Sequence, residues 1–430
     1  MNKRYYPALD ETLYTDVLPN GLQVFVNRKP GFTKKLCYFA VDFGSIHTEF
    51  TFQGKPYSVP AGIAHYLEHK MFELPDRDVT AEFAALGVNV NAFTSYDMTA
   101  YYISCTENFE KALHLLLEFV STPYFTDQSV AREQGIIGQE IGMSADEPGG
   151  KVFENLMEAL YEKHPIRVPI LGSVASIATI TPELLEICHR AFYTPENMTL
   201  CVVGDVDADQ VCQIARQVLG DEKRPMGEKA PLPQEQMRCS QPLVTQCMEV
   251  AMPLFSMAFK ATCPEKGEAA IRRELIGDLA AEALFGESSE LYMRLYEQGL
   301  IDTSFGGGFD TVDGCAMLSC SGDSDDPEAV KAAILEQGRK LAQEGICEED
   351  FLRMKRSAMG RRIRDLDGFD STCFRICAYH MSEFDYFRFP QAYDSICSRE
   401  IQEFVAQVVK EEACSLSIIY PIKEEKYESQ

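Results

Sequence analysis

The chain has no run approaching the roughly 20 consecutive apolar residues that a membrane-spanning helix needs. The stretch after Met1 to Pro7 is polar and lacks the apolar core of a signal peptide, so the expected compartment is the cytoplasm. Positive charge is scarce: 40 Lys and Arg stand against 66 Asp and Glu, a formal net charge of −26. A surface of that sign repels a phosphate backbone, and nucleic acid is excluded as an expected partner. It either favours cationic ligands or serves as a solvated face that keeps the protein in solution, and the second reading is the simpler. Low-complexity sequence is also missing. With 46% hydrophobic and 25% charged residues the composition is that of a folded globular protein, not a disordered one. The 15 cysteines are odd in number and form no secreted-type framework. Most sit in apolar surroundings, as in Leu36-Cys37-Tyr38 and Leu200-Cys201-Val202, and read as reduced, buried, small hydrophobes. Cys373 and Cys377 could share a helix face, but no second Cys or His pair lies nearby, which argues against a zinc ribbon.

A length of 430 residues predicts two to three domains. Residues 20–28 open on Asn20-Gly21 and alternate Leu22, Val24 and Val26, a strand with one buried face. Residues 36–43 form a second strand, and after a polar segment Pro60 and Gly62 introduce a helix. A short helix at 79–86 closes on Gly87. Two strands follow, at 88–94 and 99–104. Residues 107–120 form an amphipathic helix with Phe109, Leu113, Leu116, Leu117 and Val120 on one stripe, leaving His114 at the surface. The next helix spans 125–143 with Thr126 as its N-cap. A helix at 181–193 precedes an apolar strand at 198–205. Residues 221–242 are charged, Pro-rich and without periodicity, the best linker in the chain. The second half then repeats the first in outline: a strand at 250–262, a long helix at 269–285, a helix from 349, and a final helix and strand from 398. The expected fold is α+β, an internal duplication of two similar domains, 1–225 and 240–430, each an antiparallel sheet backed by helices.

The first of these halves carries the chemistry. Gly62-Ile-Ala-His65-Tyr-Leu-Glu68-His69 contains His-x-x-Glu-His, the inversion of the zinc-protease motif. Residues four apart share a helix face, so His65 and His69 can turn ring nitrogens toward one ion with Glu68 beside them. The motif arises by chance in roughly one chain in a hundred of this composition. Two histidines satisfied by backbone or water on a core helix are the bland alternative. Glu133 and Glu140 are two turns apart, sharing a stripe roughly 10 Å long with Ile136, Ile137 and Met143. Carboxylates on an apolar face are costly unless a cation or a hydrogen-bond network accepts them, although two exposed glutamates on a solvated side fit the same spacing. The second half holds no copy of His-x-x-Glu-His.

The ordered series of His65 to Phe72, Asn91-Ala92-Phe93-Thr94, Tyr101, Glu133 and Glu140 resembles the insulinase/pitrilysin family of zinc metallopeptidases, the inverzincins. So do His164-Pro165, Ile170-Leu171-Gly172, Ile180-Thr181 and the run from Tyr193 to Asp207. The likeness is tight over the first half, looser over the second, and is to the half-length bacterial type. It implies that His65, His69 and Glu140 hold Zn2+, Glu140 lying 71 residues beyond His69. It implies that Glu68 is the general base and that Glu133 orients a ligand or the water behind it. It implies that Asn91, Ala92, Phe93 and Thr94 lie on a strand that pairs with an extended peptide substrate. One departure stands out. Where active single-chain relatives carry an Arg and a Tyr that hold the substrate, this chain, aligned on Gly299-Leu300, has Tyr296 and Asp302, with Arg294 off register. The expectation is a zinc endopeptidase acting on peptides or small unfolded proteins in a closed chamber. A homologous subunit, in a heterodimer or homodimer, would supply the clamp. The alternative is a non-catalytic peptide-binding or assembly subunit that keeps zinc for structure.

Overall fold

The computed structural model describes residues 1–422 apart from positions 76 and 265. The chain forms two compact units. The first comprises Met1–Ile141, Pro169–Pro231 and Arg361–Pro390; the second comprises Gly142–Val168, Leu232–Gly360 and the described residues 391–422.

The first unit is built on a seven-stranded sheet. Its order is Asn2–Tyr6, Glu11–Val17, Gln23–Arg28, Met198–Gly204, Lys35–Val41, Thr99–Cys105, Asn89–Thr94. Every pairing is antiparallel except that of Met198–Gly204 with Gln23–Arg28. The central strands Lys35–Val41 and Met198–Gly204 are almost wholly apolar and buried, which needs cover on both faces. Tyr101, opposite Phe39 in register, packs on Phe72 and Phe119 beneath the helices Ile63–Met71 and Phe109–Ser121. Tyr38 points the other way and donates its hydroxyl to Asp370 on Phe369–Met381, the helix that covers the second face. His114 is exposed on the Phe109–Ser121 helix, as expected.

The second unit holds a five-stranded sheet ordered Leu243–Met248, Cys414–Pro421, Leu254–Ala261, Cys315–Asp323, Gly306–Val312. Its first pair is parallel and the rest antiparallel. That is the order and sense of the last five strands of the larger sheet, so the duplication extends to topology.

The contiguous division into 1–225 and 240–430 is corrected at two places. Residues 142–168 belong to the second unit and 361–390 to the first. The helix Pro148–Leu160 packs on Cys414–Pro421 and Leu254–Ala261, the place that Phe369–Met381 takes on the larger sheet. Each half thus lends the equivalent helix to the other unit. Sequence pattern is silent on this, because a helix with Val152, Leu156, Met157 and Leu160 on its buried face suits either sheet.

Residues 221–242, expected as a linker, are held at both ends. Glu228–Lys229 pairs with Glu49–Phe52, and the Gly227 amide donates to the Ala191 carbonyl at 2.8 Å. In the second unit the Glu235 carboxylate accepts the His164 amide at 2.7 Å and faces Lys260 Nζ at 3.0 Å. Lys260, 2% exposed, also donates to the carbonyls of Gln236 and Arg238. A buried ion pair orders this stretch, and hydrophobic periodicity cannot report one.

Candidate metal centre

The motif helix Ile63–Met71 starts where two backbones meet. Gly62 has φ +92°, and a Cβ there would lie 2.4 Å from the Leu171 carbonyl oxygen. Gly172, with φ +72°, is placed reciprocally, 2.5 Å from the Ala61 carbonyl. Only glycine satisfies both the dihedral and the contact, which accounts for the Ile170-Leu171-Gly172 pattern noted in the sequence. Every residue of the helix except His69 is buried, so its polar side chains need partners. Lys70 pairs with Glu73, which also receives Arg132 at 2.7 Å.

The partners of the motif come from the helix Asp127–Ala145, whose Thr126 Oγ1 accepts the Ser129 amide at 3.1 Å as the expected cap. Glu140 sets one oxygen 3.6 Å from His65 Nε2 and the other 3.6 Å from His69 Nε2. Glu133 Oε1 lies 3.0 Å from His69 Nδ1. The expected apolar stripe holds only in part. Ile137 is buried, but Ile136 and Met143 are 48% and 75% exposed, so the glutamates owe their position to the histidines and not to a continuous apolar face.

His65, His69 and Glu140 offer one ligand atom each, all within 4.8 Å of one another, and among the described residues no other group of three does so. A separation of 3.6 Å is too long for a hydrogen bond. Ligands about 2.0–2.2 Å from a shared tetrahedral ion stand about 3.3–3.6 Å apart, so the separations of Glu140 from the two histidines, and the donor types, suit zinc. Electrostatics agree. Burial, with the neighbouring His69 second, pulls the His65 pKa down to about 4, which leaves a neutral ring with a lone pair to give. Burial also acts to lower His69, but the hydrogen bond to Glu133 and the nearby carboxylates outweigh it and the net shift is upward. The same hydrogen bond holds Glu133 below the usual carboxylate range. Three carboxylates face two imidazoles, a balance that favours a dication.

Glu68 is 8% exposed, and burial raises its pKa against the hydrogen bond it accepts. That bond comes from Thr94, whose Oγ1 donates to Glu68 Oε2 at 2.6 Å. Thr94 ends the strand Asn89–Thr94, which is an edge of the sheet. The four residues expected to contact substrate divide between two faces. Ala92, opposite Tyr101, and Thr94 face the motif helix, whereas Asn91, opposite Tyr102, and Phe93 face the other way. Phe93 meets Phe374 at a ring distance of 6.0 Å, and Asn91 Oδ1 accepts the Ala92 amide.

Several partners were not foreseen from sequence. The Thr94 contact crosses from strand to helix, and the buried hydroxyls of Tyr101 and Tyr193 meet at 2.9 Å beneath the site. Phe374 and Asp370 arrive from more than 270 residues downstream, and no local pattern announces them. In the second unit Asp302 accepts the Ser304 amide at 2.7 Å in a turn, and Tyr296, half exposed, stacks on Tyr292. Cys373 lies with its sulfur 3.7 Å from the Cys201 carbonyl, and burial pushes the thiols of Cys201, Cys373 and Cys377 up, so they stay protonated.

The chain is similar to known proteins in both sequence and fold. Residues 56–174 match the family model described as insulinase (peptidase family M16), and residues 179–358 match that of the peptidase M16 inactive domain. The chain is 34% identical to the uncharacterized zinc protease YmfH of Bacillus subtilis, over 97% of this chain and 98% of that one. It is similar in structure to a putative M16-like peptidase from Alicyclobacillus acidocaldarius, with a TM-score of 0.92 and 30% identity, covering 96% of this chain and 99% of that one. A protease from Helicobacter pylori shares the fold at a TM-score of 0.81 and 19% identity, over 95% of this chain and 99% of the other. No described helix is long and apolar enough to cross a membrane. With its motif in the first half and its duplicated, motif-free second half, the chain belongs to the insulinase family, peptidase family M16.

Proposed function

We propose that this chain is the metal-bearing subunit of a zinc-dependent endopeptidase. The observation that carries the reading is the convergence of His65, His69 and Glu140 within 4.8 Å, with Glu68 on the same helix turn. His65, His69 and Glu140 would hold the ion. Zinc, when bound at such a site, acidifies water and polarises a carbonyl. Glu68 accepts the proton of the attacking water and returns it to the leaving amine, the work of a general base that becomes a general acid. Glu133 fixes the His69 ring through Nδ1. The edge strand Asn89–Thr94 offers unpaired backbone groups to an extended peptide, which gives affinity without strict side-chain demands. Tyr296 and Asp302 at the family's clamp positions support a homologous partner that supplies the missing groups. The substitution Glu68→Gln tests the chemistry. Stoichiometric zinc should be retained while peptide hydrolysis, by the chain alone or with a homologous subunit, falls by at least about 100-fold.

A second reading is a binding or assembly subunit with structural zinc, which the same two residues favour. Under it Glu68→Gln changes nothing that the protein does, and no partner elicits cleavage.

A further inference from the structure

We infer that the Thr94 side chain is a positioning residue for Glu68, coupling the peptide-pairing strand to the proton-transferring carboxylate. The inference rests on the reading of Glu68 as general base. Alternation along Asn91-Ala92-Phe93-Thr94 sends only Ala92 and Thr94 toward the motif helix. Ala92 has no polar atom, so Thr94 carries the one side-chain hydroxyl that this edge directs at the helix. Its Oγ1 donates to Glu68 Oε2 at 2.6 Å, a short charge-assisted bond to a carboxylate that is 8% exposed.

Three consequences follow from that geometry. Oε2 gives one of its lone pairs to the hydroxyl, which leaves Oε1 the freer oxygen to take a proton. The carboxylate is fixed in rotation by a residue of the strand and not by its own helix. The Thr94 backbone pairs with Thr99 on the inner side, so its side chain is anchored to the sheet and not to a mobile loop. An extended peptide adding to the outer side of Asn89–Thr94 would order the strand that holds the carboxylate. Substrate pairing and base alignment thereby become one event. Thr94 contributes to turnover through Glu68, without contact to the peptide's side chains or to the ion.

The test compares Thr94→Val, which keeps the shape and removes the hydroxyl, with Thr94→Ser, which keeps the hydroxyl, on the full zinc-loaded chain with whichever homologous subunit gives cleavage. Thr94→Val should lower kcat by about 10- to 100-fold with KM and zinc content unchanged, and Thr94→Ser should restore most of it. A readout without turnover is the affinity for a peptide phosphinate, a tetrahedral mimic that takes a hydrogen bond from the protonated acid. Thr94→Val should weaken the phosphinate about 10-fold while leaving a plain peptide equally tight in the Glu68→Gln background. Equal losses for phosphinate and plain peptide would make Thr94 a substrate contact, and Thr94→Ser as poor as Thr94→Val would make it a packing residue; either overturns the inference. If Glu68→Gln retains turnover, the general-base reading has failed. If Glu68→Gln abolishes turnover and Thr94→Val leaves kcat unchanged, only the present inference has failed.

Discussion

His65 and His69 are one turn apart on one helix, yet the fold treats them differently. His65 Nδ1 is buried with no hydrogen-bond partner among the described residues, whereas His69 Nδ1 is held by Glu133 at 3.0 Å. The orientation of His69 is therefore set from outside and that of His65 by packing alone. Glu133→Gln should weaken zinc binding by about 10- to 100-fold, read by chelator competition, with the fold intact. An unchanged affinity would reduce Glu133 to a solvated neighbour. At this scale the sequence is informative where covalent spacing does the work. The ring-to-ring distance of 4.5 Å between His65 and His69 follows from a four-residue separation on a helix. Glu140 is different: 70 residues intervene, and only family resemblance connected it to the histidines. The resemblance assigns Thr94 to the substrate through its strand, and residue type alone gives no warning that its hydroxyl also meets Glu68.

Among elements, the helix Asp127–Ala145 is the one whose composition conflicts with its task. It carries Glu133 and Glu140 but includes Gly135, Gly138 and Gly142, and a Cβ at any of the three would meet nothing within 4 Å. Glycine is not required there by contact, and each one weakens a helix by about 0.5–1 kcal/mol relative to alanine. Gly138→Ala should raise the unfolding free energy by an amount of that size, read from the midpoint and slope of guanidinium denaturation. A loss of stability would mean that the glycine meets a requirement absent from the folded contacts. The motif helix is the opposite case, embedded on nearly every side and started by a glycine that admits no substitute. Both helices were legible from start signals, Thr126 for one and Pro60 with Gly62 for the other. Their burial was not, because it depends on which strands and helices lie alongside.

Across the molecule, a buried histidine makes each unit sensitive to acid, and one carboxylate gives the second unit a further limit at lower pH. His189, 3% exposed, donates Nε2–H to the Val120 carbonyl at 3.1 Å, and burial pulls its pKa down to about 4. Its folded value lies below its unfolded value, so the native state binds fewer protons. The stability it lends is full above pH 6.5 and is lost as pH falls toward 4, about 3 kcal/mol in all. Burial acts to raise Glu235, but the amides of Lys163 and His164 with the Lys260 ammonium outweigh it and hold the group at about 2. That stability is full above pH 4.5 and is lost only as pH falls toward 2. Amide exchange followed by mass spectrometry should therefore show the His189 helix Pro182–Phe192 loosening as pH falls from 6.5 toward 4, and the His164 segment of the second unit, fully buried and likewise held below the usual imidazole range by burial, loosening with it. Unchanged protection over that range would show that other groups govern acid stability. The duplication behind these two units was legible as a repeated order of elements. The reciprocal loan of one helix each was not, since it preserves every local pattern. Through that loan each half of the chain is part of both units. Severing the chain in the connector near residue 231 would not yield two domains: each piece would still carry a helix seated on the other's sheet, and the pieces would part only on unfolding.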